Sequence, residues 1–214
     1  MFKKSEIILP KQRVSFEEEN HKYMVGKEEK RSVTDILSFL SAYKYKGIPH
    51  HILEQAAQRG KRVHFAVEVF CKTGVKMSLD DSLYKNASKY FEGFLKWDRK
   101  YGKKYQLEAN EFPAYADSLN YAGTIDIVVE PVDDMGMVDI IDIKTTTNTD
   151  KKLVAMQLAG YKMLLLHNRV KVRNCYSLLL TPDADYKFDL VQPEIDRFHD
   201  LYEISNWYSK KEEE

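Results

Sequence analysis

Residues 121–147 read YAGTIDIVVE, PVDDMG, MVDIIDIKTTT: two apolar runs joined by a segment whose Pro131, Asp133, Asp134 and Gly136 mark a turn. Such a pattern predicts an antiparallel pair of strands. The preceding run YQLEANEFPAY, at 105–115, is also of strand type and extends the pair into a short meander. On the last strand Asp142 and Lys144 are two apart, so they leave one face while Ile141 and Ile143 point to the opposite, buried one. Charges inside so apolar a strand need a reason, because burying them without a partner is costly.

Around this meander the chain reads as helix. Residues 13–30 alternate apolar and polar positions about a Gly26 turn, predicting a small N-terminal hairpin. Ser32 and Thr34 are candidate caps for a helix over 33–40, and Pro49 opens a long one running to about residue 71. A third helix is predicted over 81–101, where Leu83, Ala87, Tyr90, Phe91, Phe94 and Trp97 recur at spacings of three and four. Beyond the meander come a helix over 150–167, a strand over 172–181, a turn at Pro182, a short strand over 186–190 and a helix over 193–209. The tail KKEEE is expected to be a frayed, solvated end. The expected fold is α/β (α+β): a central mixed, mostly antiparallel sheet flanked by helices, with a helical N-terminal half. No repeat or long linker divides the chain, so 1–214 is expected to form one domain.

Composition narrows the functional classes. With 43% hydrophobic residues the chain can bury a sizeable core, and 33 basic against 33 acidic residues exclude a protein that coats nucleic acid by bulk positive charge. A local basic groove stays compatible with that balance. The cysteines are Cys71 and Cys175, both in apolar segments, too few for a disulfide framework or for a set of four thiolates around zinc or an iron-sulfur cluster. No apolar run approaches the roughly 20 residues that span a bilayer, and the start is too short in apolar residues for a secretory signal. A soluble, cytoplasmic protein is expected, in a bacterium or a phage-infected host. The chain lacks a G-x-x-x-x-G-K-[ST] loop, so no ATP is expected to be hydrolysed by that route.

The hairpin through PVDDMG can bring Asp126 beside Asp142. Two carboxylates side by side repel unless a cation lies between them, and oxygen ligands of this kind suit Mg²⁺ or Mn²⁺. Such a site suits phosphodiester hydrolysis, with Lys144 orienting or polarising the attacking water. Gly123 leaves the strand open to close approach of a phosphate backbone. Gln157 and Tyr161 lie one turn apart on the following helix and can face the same site. On the long early helix, Gly60 leaves room beside His64, whose imidazole can supply a nitrogen ligand. Basic residues recur nearby: Arg59, Lys61 and Arg62; Lys96, Arg99, Lys100, Lys103 and Lys104; Lys151 and Lys152. Of these, Arg59, Arg62, Lys151 and Lys152, with Gln157 and Tyr161, are candidate DNA contacts, and Tyr43, Tyr45, Tyr101 and Tyr105 are interleaved where bases of a single strand could stack.

The ordered set G-x-x-x-H (Gly60, His64), G-x-x-D (Gly123, Asp126), D-x-K (Asp142, Lys144) and Q-x-x-x-Y (Gln157, Tyr161) resembles the RecB-like branch of the PD-(D/E)XK nucleases. That branch includes the RecB and AddAB nuclease domains, CRISPR-associated RecB-like exonucleases, the mitochondrial genome maintenance exonuclease and many phage exonucleases. RSVTDILSFL after an N-terminal hairpin is similar to its stand-alone members, so the resemblance spans nearly the whole chain. It implies a restriction-endonuclease-like core in which His64, Asp126, Asp142 and the backbone carbonyl of Ile143 ligate the metal, while Lys144 helps activate water and Gln157 and Tyr161 position the lysine or the DNA. Glu111 matches an acidic position of some relatives that serves a second metal or its shell. Two departures stand out: Ile125 replaces the proline of the superfamily's name, and the cysteines that hold an iron-sulfur cluster in some relatives are absent.

The implied activity is an Mg²⁺- or Mn²⁺-dependent DNA exonuclease working from single-stranded or frayed ends in recombination, repair or phage DNA processing, alongside recombination or replication proteins. Two rivals stay open at this stage. One is a structure-specific or restriction-like endonuclease; the other is a catalytically silent module that binds DNA ends within a recombination or CRISPR adaptation complex.

Overall fold

A computed structural model describes residues 3–4, 9–11, 13–17, 22–146 and 149–209. Its strands are β1 (Lys3–Lys4), β2 (Val14–Glu17), β3 (Lys22–Val25), β4 (Glu28–Ser32), β5 (Tyr105–Ala116), β6 (Tyr121–Pro131), β7 (Val138–Lys144), β8 (Val172–Leu180) and β9 (Tyr186–Val191). The helices are α1 (Val33–Ile36), α2 (Ser38–Lys44), α3 (His50–Thr73), α4 (Ala87–Tyr101), α5 (Lys151–His167) and α6 (Ile195–Ser209). One mixed sheet runs β2-β3-β4-β6-β7-β8-β9, with β5 on the other edge of β6 and β1 beyond β5. Most pairs are antiparallel; β1/β5, β4/β6 and β7/β8 are parallel. This is the mostly antiparallel sheet flanked by helices expected of a restriction-endonuclease-like core.

The centre of the sheet is β6, and its pairing is uneven. Along one edge it pairs with β5 from Tyr105↔Pro131 to Ala116↔Tyr121. The opposite edge is shared: β4 takes Tyr121 and Ala122, and β7 takes only Ile127 to Val129. Among the described residues, 123–126 have no strand partner on that edge. The fork opens where β7 continues as Asp142, Ile143 and Lys144.

Each face of the sheet buries its own apolar set. Ile125, Val128 and Ile140 pack with Val33 of α1, Leu158 and Leu164 of α5 and Phe198 of α6. Ile127, Val129, Ile141 and Ile143 pack with Val63 and Val67 of α3 and Phe94 and Trp97 of α4. Burying an aliphatic or aromatic side chain contributes about 1.5–3 kcal/mol, so the two layers hold the fork between rigid supports. Both cysteines are buried and unbridged. Among the described residues no helix is long and apolar enough to cross a membrane.

Several local expectations shift. The N-terminal hairpin is a three-stranded meander, with Gly26 at φ 64° turning β3 into β4 and β2 added outside. The helix expected over 33–40 is two helices meeting at Leu37; Ser32 accepts the amide of Asp35 while Asp35 accepts that of Ser32, a reciprocal cap that starts α1 sharply. The third helix begins at Ala87 and not at 81, because Asp81 accepts the amide of Ser88 and Asn86 is left-handed at φ 62°, leaving Leu83 70% exposed outside the helix. The KKEEE tail lies outside the described residues.

Candidate metal centre

On β5, Asn110 pairs with Ile127 and Phe112 with Ile125, which sets Glu111 across from Asp126. The ladder is distorted there. Glu111 has a left-handed φ of 47°, and the alternation of β6 slips: Ile125 belongs to the core under α5, Ile127 to the core under α3. A left-handed backbone at a residue with a Cβ costs on the order of 1–3 kcal/mol and persists only where surrounding contacts impose it. The distortion turns the Glu111 carboxylate toward α3, where its Oε1 lies 3.1 Å from Nδ1 of His64. Oδ1 of Asp126 lies 3.6 Å from the same nitrogen.

Asp126 is held on two further sides. Its Oδ2 accepts the amide of Ile143 at 2.6 Å, and its own carbonyl accepts Nδ2 of the buried Asn110 at 2.9 Å. The unpaired end of β7 therefore finds in a side chain the acceptor that a continued ladder would have offered. Ligand atoms of His64, Glu111 and Asp126 all lie within 4.8 Å of one another, a cradle of one nitrogen and two carboxylate groups that fits a divalent cation of the Mg²⁺ or Mn²⁺ type. Asp126 is 8% exposed, whereas His64 and Glu111 are half-buried, so the cradle opens on one side.

The electrostatics agree with a cation site. Burial pushes the His64 imidazolium toward losing its proton, but Asp126 and then Glu111 outweigh that and raise its pKa from 6.5 to about 9. Burial foremost, with Glu111 adding, raises the Asp126 carboxyl above its usual value against the pull of His64 and Lys144. A proton on His64 and a metal ion are alternative ways of neutralising the same two carboxylates.

Beside the cradle lies a polar chain. Asp142 is 1% exposed, and Nζ of Lys144 stands 2.9 and 2.7 Å from its two oxygens. The same ammonium donates to Oε1 of Gln157 at 2.9 Å, and Nε2 of Gln157 donates to the Tyr161 hydroxyl at 2.9 Å. Burial pushes the Lys144 ammonium down, yet Asp142 and Asp126 outweigh it, so the lysine is held charged. Burial raises the Asp142 carboxyl to about 6 despite Lys144, with Asp126 pushing in the same direction as burial. Tyr45, at the end of α2, is near enough to register in the electrostatics of Lys144.

The glycines have other tasks than expected. A Cβ on Gly123 would lie 2.8 Å from the ring of Tyr161 and 3.2 Å from Val33, so the space is filled by Tyr161 and not by a passing phosphate. A Cβ on Gly60 would lie 3.2 Å from Oγ1 of Thr145; this glycine lets α3 approach the loop after β7, and makes no room at the imidazole.

Cradle and Tyr161 face one open groove of about 990 Å³, lined also by Phe16, Tyr23, Thr34, Lys61, Arg62, Phe65 and Tyr84. Arg59 is outside this lining: it donates to the carbonyl of Thr145 at 3.1 Å and stacks 4.9 Å from the centre of Tyr90, tying α3 to the end of β7. Lys151 and Lys152 are exposed on the first turn of α5, also outside the lining. Lys96 is engaged with Asp185 at 2.8 Å, and Tyr101 and Tyr105 stack on the buried Trp97, so these tyrosines are packing residues with no face left for a base. Sequence reasoning missed Asn110, Phe65 and Tyr84. Nothing local marks them: an asparagine in a half-polar strand carries no sign that it is buried, and Tyr84 sits in a segment that reads as helix.

The model of the PD-(D/E)XK nuclease superfamily matches residues 37–211, and the chain belongs to that superfamily of metal-dependent nucleases. A search of curated proteins finds no match. The family match begins beyond β1 to β4, so Phe16 and Tyr23 bring to the groove a wall from outside the matched region.

Proposed function

We propose that this chain is an Mg²⁺- or Mn²⁺-dependent exonuclease hydrolysing DNA from single-stranded or frayed ends. The observation that carries this is the adjacency, on one sheet, of the His64–Glu111–Asp126 cradle and the Asp142–Lys144–Gln157–Tyr161 chain, with the cradle at the floor of an open groove. The cradle residues would hold the cation, joined by Asp142 and by the carbonyl of Ile143. Once bound, the cation supplies stabilisation of charge on phosphate oxygens and lowers the pKa of a water.

The protein groups do the rest. Lys144, kept charged by Asp142, has one ammonium hydrogen beyond those it directs at Asp142 and Gln157 and uses it to orient the attacking water. Since its pKa is raised, it acts as a donor and not as a proton acceptor. Gln157 fixes the lysine and is itself fixed by Tyr161, whose ring is wedged against Gly123. Preorganised donors of this kind need no rearrangement as charge develops. Recombination, repair or phage DNA processing in the cytoplasm is the setting that the RecB-like motif set supports.

Digestion of 5′-labelled, 3′-labelled and circular single-stranded DNA with Mg²⁺ or Mn²⁺, beside Lys144→Ala, tests the reading. Loss of linear strands, survival of circles and an inert variant are expected. Cleavage of circles would make the protein an endonuclease, and end binding without release of nucleotides would make it a silent binding module.

A further inference from the structure

We infer that Arg62, Phe65 and Tyr84 form a second subsite of the groove, taking a nucleotide of single-stranded DNA beside the cradle with its base against Phe65 and its phosphate against Arg62. The inference rests on the nuclease reading for the identity of the ligand. Its evidence is separate from the cradle.

The Arg62 guanidinium stands 5.5 Å from the ring centre of Phe65 and 5.8 Å from that of Tyr84. Among the described residues it makes no ion pair, and its Nε is buried without a hydrogen-bond partner. The chain contains 33 acidic residues, and none is placed against it. An arginine packed between rings keeps its planar donors oriented and its charge unspent, which suits an incoming phosphate.

Phe65 is the second element. Its neighbours Val63, Ala66 and Val67 are fully buried against the sheet, while Phe65 remains 46% exposed and lines the groove. On α3 it follows His64 directly, about 100° further round the helix, and both side chains border the same groove. Gln58, Lys61, Arg62 and Phe65 recur at helical spacing and form one flank of that groove, so a backbone lying over the cradle runs past them. A ring in this position stacks only on a base with a free face. Within a duplex both faces of a base are covered by its neighbours, and the subsite therefore selects a single strand.

The test is binding without cleavage. Fluorescence anisotropy of a labelled deoxythymidine oligonucleotide in EDTA, and of a matched strand lacking all bases, is measured for the intact chain, Phe65→Ala, Phe65→Trp and Arg62→Ala. Phe65→Ala should weaken binding of the normal strand about tenfold, leave the base-free strand unaffected, and be rescued by Phe65→Trp. Arg62→Ala should weaken both strands and reduce the salt dependence by about one counterion. Equal losses on both strands for Phe65→Ala, or wild-type affinity in both variants, overturns the subsite. Hydrolysis by the intact chain, followed in parallel with Mn²⁺, separates the two readings: cleavage with unaltered variant binding removes the subsite alone, and the expected binding pattern without cleavage removes the nuclease reading alone.

Discussion

The Glu111 carboxylate lies 3.1 Å from Nδ1 of His64, and it reaches that place because Glu111 holds a left-handed φ of 47° opposite Asp126. The cradle is thus built on a strained residue. Glycine adopts such a φ freely, whereas alanine keeps the Cβ that opposes it. Glu111→Gly should be about 1 kcal/mol more stable than Glu111→Ala in urea unfolding, although both lose the metal in calorimetric titration. Equal stability of the two variants would show that the backbone relaxes and carries no strain.

Removing Lys144 should expose how much Asp142 depends on it. With Asp142 1% exposed and Lys144 Nζ 2.7 Å away, Lys144→Met leaves a buried carboxylate without its partner, at a cost of about 3–5 kcal/mol. Adding Asp142→Asn removes the charge as well and should restore most of the stability while activity stays absent. A double variant no more stable than Lys144→Met would contradict this.

Gly123→Ala should act on the same chain from behind. The new Cβ would lie 2.8 Å from the Tyr161 ring in a region without slack, an overpacking worth about 1–3 kcal/mol. Displaced from Gln157, Tyr161 no longer fixes the lysine, so the rate constant for hydrolysis should fall with little change in strand affinity. A loss confined to affinity would mean that the glycine serves the DNA directly.

Metal and proton compete at His64. In the metal-free protein its pKa is raised from 6.5 to about 9, so the stabilisation from that proton is complete below pH 6.5 and lost as pH rises through about 9. Asp142, raised from 3.8 to about 6, has the same sign: its contribution is complete below pH 3.8 and lost as pH rises through about 6. Metal binding must displace the His64 proton. At pH 7.5 calorimetry in buffers of different ionisation enthalpy should show release of about one proton per metal ion, and affinity should climb with pH. Affinity independent of pH between 6.5 and 9 would exclude His64 as a ligand.

Much of the site was legible because local periodicity reports faces. The interval of two between Asp142 and Lys144 puts both on one side of a strand whatever the strand packs against, and the interval of four between Gln157 and Tyr161 does the same on a helix. The turn through PVDDMG likewise determined the antiparallel pairing of β6 and β7. Boundaries were less legible where a side chain competes with the helix, as Asp81 does before Ala87.

The sequence by itself determined the order of strands and helices, the apolar faces and the set of residues with suitable chemistry. Only the tertiary structure decided how they meet: that Glu111 joins His64 and Asp126, that Lys144 engages Asp142, that Tyr161 fills the flank of Gly123 and that Phe65 is left facing the groove. The reason is physical. Spacing along a chain sets the direction of a side chain relative to its own backbone, but what stands across from it depends on the packing of distant segments, and on the slip in the β5–β6 ladder that turns Glu111 toward α3.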